Sequence, residues 1–235
     1  MKSFLQNFLD EMQYESLLNQ EDKIEHIILI GAHGTGKTTL AEALASELEL
    51  PVTESVARKT IEILKQLPIN VLKEVSTEIL QQGALCEMSR WDFVRWNEVE
   101  NIMTRCPLDT LAYTKVAIAN ARNDGEKSYY ERIYKHHLEE LKQDEVAMHM
   151  LSHSLFVYLP IEFEIKDDGV RPTNSQYQKD VDQAMRELMY EFGINPLVAT
   201  GSVERRMEII LKHLVESTKE MISEASSEIT NGMFE

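Results

Sequence analysis

Short apolar runs alternate with longer stretches of helical period along this chain. The strongest run is Ile27-Ile28-Leu29-Ile30, and it predicts a strand over about 26–31 that is buried on both faces. Leu40, Ala43, Leu44 and Leu48 then recur at helical spacing and predict a helix from Lys37 to near Leu48. Residues 50–54 read as a short second strand, with Pro51 tolerable at its start, and a helix over 59–66 stops before Pro68. Residues 70–97 read as a long polar-rich helical insertion, and Val99 to Met103 as a third strand. A helix is expected over 111–121, closed by Asn123-Asp124-Gly125, with a further helical region over 126–152. Residues 154–160 are a strong strand, 164–172 a polar loop, 175–192 a helix and 197–200 a last short strand. The final helix is expected from Glu204 to about Ser223. Strands alternating with helices predict an α/β fold, a three-layer αβα sandwich on a mainly parallel five-stranded sheet.

The turn after the first run carries the clearest chemistry. Gly31-Ala32-His33-Gly34-Thr35-Gly36-Lys37-Thr38 reads G-x-x-x-x-G-K-T between a strand and a helix, which is the context a phosphate-binding loop requires. Gly31, Gly34 and Gly36 let the backbone N–H groups turn inward towards an anion, and the helix N-terminus adds partial positive charge. Residues 31 and 33–39, among them His33, Thr35 and Thr39, are the expected nucleotide contacts. Lys37 is expected at the β- and γ-phosphates of ATP, and Thr38 on Mg²⁺. His33 occupies a variable position of the loop and receives no catalytic role.

In parallel sheets, ligands collect beyond the carboxyl ends of the strands. Glu54 lies there after strand two, where a carboxylate can take the proton of an attacking hydroxyl or support the metal. Arg58, one turn on, pairs with Glu54 or meets the substrate. Arg105 ends strand three near the expected phosphates, and Asp109 either bridges to it or contacts substrate. Lys166, Asp168 and Arg171 lie in a loop suited to a lid, with Arg171 facing charge on a transferring phosphoryl group. In the insertion, Gln82 can read a base edge and Trp91 can stack on a ring, or both can be surface residues. The pairs His136-His137 and His149/His153 lack a carboxylate in a zinc-protease pattern.

Composition narrows the setting. A net charge of −16 opposes a protein that gains affinity by neutralising a nucleic-acid backbone, though a local basic groove remains compatible with it. No apolar run approaches a membrane span, and the start of the chain turns acidic too soon for a signal peptide. With two cysteines, Cys86 and Cys106, in no metal-like spacing, the expectation is a reduced, cytoplasmic protein. The expected organisation is an N-terminal helical extension over 1–24 and a catalytic domain over 25–225. That domain includes the 70–97 insertion and a lid over 161–175, and a flexible tail follows over 226–235. Phe4, Leu5, Phe8, Leu9 and Met12 make the extension amphipathic, a surface for packing on the sheet, for a second copy or for a partner.

The chain resembles the P-loop kinase-like group that includes nicotinamide riboside kinase domains and many phage proteins. The resemblance rests on Glu54-Ser-Val-Ala-Arg58, Arg105-Cys-Pro-Leu-Asp109-Thr-Leu-Ala-Tyr113, Phe163-Glu-Ile-Lys-Asp-Asp168-Gly169-Val170-Arg171-Pro172, and Thr200-Gly201-Ser202-Val203-Glu204-Arg205-Arg206. It implies an ATP- and Mg²⁺-dependent phosphotransferase for a nucleoside, nucleotide or related hydroxyl. It also implies Glu54 as the acceptor-side carboxylate, Arg105 as the arginine of an acidic-Arg pair, Asp168 and Arg171 as lid residues, and Gly201 and Ser202 near the adenine. Some phage relatives resemble kinases of 5-hydroxymethyluracil in DNA, which would make a modified base the acceptor. One position departs from the group: Thr104 stands where an acidic residue usually precedes the arginine. A threonine cannot offset the charge of a divalent ion, so an ATP-binding regulator with weak hydrolysis is the competing reading. A motor-type ATPase would need an acidic strand ending hhhhD-E, and the sequence has none.

Overall fold

The computed structural model of the chain describes residues 24–53, 77–97, 99–163 and 174–232. Five strands, all parallel, form one sheet in the order β2-β3-β1-β4-β5. They are β1 (His26–Ile30), β2 (Val52–Thr53), β3 (Asn101–Met103), β4 (Ser154–Tyr158) and β5 (Leu197–Val198). β1 is central, with His26 opposite Asn101 on one side and Ser154 on the other.

Seven helices are seen among the described residues: α1 (Lys37–Leu48), α2 (Thr77–Arg95), α3 (Pro107–Ala119), α4 (Asp124–Gln143), α5 (Glu145–Ser152), α6 (Ser175–Glu191) and α7 (Val203–Gly232). Strand alternation divides the core in two. Ile28, Ile30, Met103 and Phe156 face α3, α5 and α6, together with Phe93 of α2. Ile27, Leu29, Ile102, Leu155 and Val157 face α1 and the α7 residue Ile210. Each face buries its own apolar set, which is why the β1 run carries no polar residue between Ile27 and Ile30.

Several boundaries differ from the sequence expectation, each for a local reason. α3 begins at Pro107, not Leu111, because Cys106 and Asp109 close a capping box with proline in the first turn. Asn123-Asp124-Gly125 opens a helix where it was expected to close one: Asn123 Oδ1 accepts the Glu126 N–H at 2.9 Å. The 126–152 region is two helices that meet at Asp144, whose Oδ1 caps α5 by accepting the Ala147 N–H at 3.1 Å. β4 and β5 stop at Tyr158 and Val198, short of the expected 160 and 200. α7 continues past Ser223 to Gly232, there being no proline or glycine before it to end the helix. The predicted helices over 1–23 and 59–66 lie outside the described residues, as does the loop over 164–172.

Candidate nucleotide site

At the carboxyl end of β1 the chain makes the turn the motif requires. Gly31, Gly34 and Gly36 have φ of 149°, 79° and 90°, conformations a side chain would strain. A Cβ at Gly31 would also stand 2.5 Å from the Leu159 carbonyl oxygen, so β4's exit and the loop are packed backbone to backbone. Thr35 Oγ1 donates to the Ala32 carbonyl at 2.9 Å and closes the loop on itself. Lys37 is buried at its base, donating to the carbonyls of Gly31 at 2.5 Å and Ala32 at 2.8 Å. Thr38 and Thr39 are exposed in the first turn of α1. Glycine cradle, buried ammonium and exposed hydroxyls together fit a phosphate chain with a divalent ion.

Two sets of side chains hold this loop from outside. On the β4–β5 flank, Arg206 of α7 is 2% exposed, and Nη1 donates to the Thr35 carbonyl at 2.6 Å. Its Nη2 pairs with Glu162 at 2.6 Å, and Glu162 accepts the Gly201 N–H at 2.9 Å. That hydrogen bonding from Arg206 holds the Glu162 carboxyl below the ordinary carboxylate value. Ser202 caps α7, its hydroxyl accepting the Arg205 N–H at 3.3 Å, and Gly201 supplies the left-handed turn before it. On the other face of the sheet, buried Gln178 of α6 donates to the His33 carbonyl at 2.6 Å. The His33 ring lies 3.2 Å from the Tyr113 hydroxyl through Nδ1, and the rings of His33, Tyr113 and Tyr177 sit 5.9–6.3 Å apart. Burial, with Tyr113 alongside, pushes the Tyr177 phenol up to about 12, so it is neutral across the physiological range.

Arg105 emerges from β3 beside this aromatic group, its guanidinium 5.6 Å from the Tyr113 ring centre. It makes an ion pair with Asp109 at 3.4 Å, one turn along. Asp109 is fully buried and also accepts the Cys106 N–H at 2.9 Å, so its carboxylate serves the start of α3. Thr104 is buried between β3 and Arg105. Burial and the adjacent Asp109 push the Cys106 thiol well up, and burial raises Cys86, so both are protonated, unreactive thiols.

Gln82 reaches across from α2 to α3, donating to Thr114 Oγ1 at 2.8 Å and the Thr110 carbonyl at 3.1 Å. Its amide joins two helices beside the site. Trp91 does not join it. Its neighbour Arg90 pairs with Asp144, where α4 meets α5 and leads into the amino end of β4, and the indole, 60% exposed, donates to Glu87 at 2.6 Å. Trp91 therefore sits towards the amino edge of the sheet, the side away from the loop. Glu54, Arg58, Asp168 and Arg171 lie outside the described residues. Arg206, Glu162 and Gln178 were not singled out as site residues: Arg206 and Gln178 lie 171 and 145 positions from the loop residues they brace, and Glu162 lies 44 from Arg206, so no local spacing links them. No cluster of three or more metal-ligating side chains occurs among the described residues.

A glycine-rich loop on the central strand of a 2-3-1-4-5 parallel sheet defines a P-loop nucleotide-binding protein with the fold of the nucleoside and nucleotide kinases. The chain belongs to the AAA domain family, which it matches over residues 26–206. No curated protein matches it by sequence. Among solved structures it is similar to the deoxyadenosine kinase of M. mycoides, with products bound, at 16% identity and a TM-score of 0.56, over 80% of this chain and 98% of that one. It is similar to the thymidylate kinase of Candida albicans at 17% identity and a TM-score of 0.50, over 85% of this chain and 94% of that one. The NadR protein in complex with NR is similar at 18% identity and a TM-score of 0.52, over 85% of this chain and 51% of that one. No helix among the described residues is long and apolar enough to cross a membrane.

Proposed function

We propose that this protein is an ATP-dependent phosphotransferase acting on a nucleoside, nucleotide or related hydroxyl. The observation that carries the reading is the juxtaposition of Lys37, buried at the base of the phosphate loop, with Arg105 leaving the neighbouring strand on the acceptor side. Residues 31 and 33–39 hold the phosphates of ATP, Lys37 spans the β- and γ-phosphates, and Thr38 supports Mg²⁺. Arg105 offers a planar fork to an acceptor or to the transferring group. Glu54 accepts the proton of the attacking hydroxyl, and Arg171 closes over the phosphates from the lid segment. Arg58 flanks the acceptor, Asp109 acts on it through the Arg105 it holds, and Gly201 and Ser202 flank the base. Fold likeness to a deoxyadenosine kinase and a thymidylate kinase supports this choice of acceptor class.

Thr104 motivates a second reading, an ATP-binding regulator with slow hydrolysis, because the end of β3 carries no carboxylate before Arg105. A coupled assay for ADP, run across nucleosides, nucleoside monophosphates and DNA containing 5-hydroxymethyluracil, separates the two. Acceptor-dependent ADP formation supports the kinase. Its absence with every acceptor, alongside measurable ATP binding, moves the balance to the regulator.

A further inference from the structure

Tyr113 of α3 is half-buried and has two partners of different kinds. Its hydroxyl lies 3.2 Å from Nδ1 of His33, 80 residues away in the phosphate loop. Its ring centre lies 5.6 Å from the Arg105 guanidinium. One phenol therefore meets both the loop and the arginine that leaves β3. The helix explains how. Asp109 and Tyr113 are four residues apart on α3, so they stand on one stripe, one turn apart. Arg105, just before the helix, meets the carboxylate of the first and the ring of the second.

The two ends of this bridge are held unequally. His33 is 3% exposed, and α6 gives consecutive residues, Tyr177 and Gln178, to its ring and its carbonyl. Arg105 keeps 29% of its side chain exposed, and Asp109 reaches it through Oδ1 at 3.4 Å, a long contact. The other oxygen, Oδ2, is committed to the Cys106 N–H. One long ion pair leaves a guanidinium more than one orientation. A ring alongside narrows the choice through cation–π contact. Because that ring is itself tied to His33, the orientation is set relative to the loop as well as to α3.

We infer that Tyr113 is the positioning residue of Arg105: tied to His33, it fixes the orientation of the guanidinium relative to the phosphate loop. The consequence for transfer rests on the phosphotransferase reading, whereas the positioning itself does not. Tyr113 acts through Arg105 and not on the reacting atoms.

Modification of the full chain by phenylglyoxal, followed arginine by arginine by mass spectrometry, reads how firmly each guanidinium is held. Tyr113→Leu removes ring and hydroxyl and should speed modification of Arg105 about tenfold, the scale of a partly desolvated cation–π contact. Tyr113→Phe keeps the ring, loses only the tie to His33, and should speed it about two- to threefold. Arg206, 2% exposed, reports general loosening and should keep its wild-type rate in both variants. An unchanged Arg105 rate in Tyr113→Leu overturns the inference, and so does an equal acceleration of Arg206. A Tyr113→Phe rate equal to the wild type overturns the tie to His33. With an acceptor drawn from a panel of nucleosides and nucleoside monophosphates, Tyr113→Leu should lower kcat about tenfold in the wild-type background and leave it unchanged in Arg105→Gln. Equal losses in the two backgrounds overturn action through Arg105. Wild-type protein that transfers to no acceptor overturns the kinase alone, and the modification rates still decide what holds Arg105.

Discussion

The two flanks of the phosphate loop are held by different physics. On the β4–β5 side a single buried guanidinium donates to Thr35 and pairs with Glu162. On the opposite face of the sheet a neutral amide, Gln178, and the tilted rings of Tyr113 and Tyr177 do the same work for His33. The donor to Thr35 is a charged group that is itself buried, while its carboxylate partner Glu162 is exposed, and a hydrogen bond from a charged group contributes more than a neutral one. Neutral hydrogen bonds and ring contacts are individually cheaper to lose. The charged side is therefore the costlier one to disturb, and the neutral side the cheaper.

Arg206→Ala should have the largest effect, a loss of about 2–3 kcal/mol in urea unfolding, since a buried guanidinium and its charge-assisted hydrogen bond to the Thr35 carbonyl disappear. Gln178→Ala should cost less, about 1–2 kcal/mol by the same measurement, as the His33 carbonyl loses a buried donor. Equal losses in the two variants would erase the contrast between the flanks. Tyr113→Phe should cost about 1 kcal/mol or less, because only the hydroxyl facing His33 Nδ1 goes. The smallest effect is a slope. Arg206 depresses the Glu162 carboxyl below its ordinary value of 4.5, so its contribution is fully present above that value and fades as pH falls through the depressed one. Glu162→Gln should flatten the wild-type decline in urea midpoint below about pH 4.5. A decline as steep as in the wild type would assign the acid sensitivity to other carboxylates.

The central unit of the fold was legible in the chain because its signals are local. The β1 run, the three glycines and the α1 pattern lie within about twenty residues, and strand, loop and helix stand where they predict. The Arg105–Asp109 bridge was open to sequence reasoning for the same reason, both residues lying one turn apart. The start of α3 was not, because cysteine is an uncommon cap and its partner Asp109 invites a chemical role. Arg206 and Gln178 stayed hidden because a brace between residues 171 and 145 positions apart leaves no spacing to find. Trp91 shows the opposite error: an indole in a promising insertion suggests stacking, yet nine residues of helix beyond Gln82 carry it away from the loop.

Transfer of a labelled γ-phosphate from Mg·ATP to a nucleoside or nucleoside monophosphate, wild type against Lys37→Ala, probes the proposed chemistry without intermediaries. The expected result is a labelled acceptor with the wild type and a loss of at least about a hundredfold when the ammonium is removed, the scale of deleting one electrostatic group at a transition state. No labelled product from any acceptor, or equal labelling by both proteins, would contradict a phosphotransferase built on this loop.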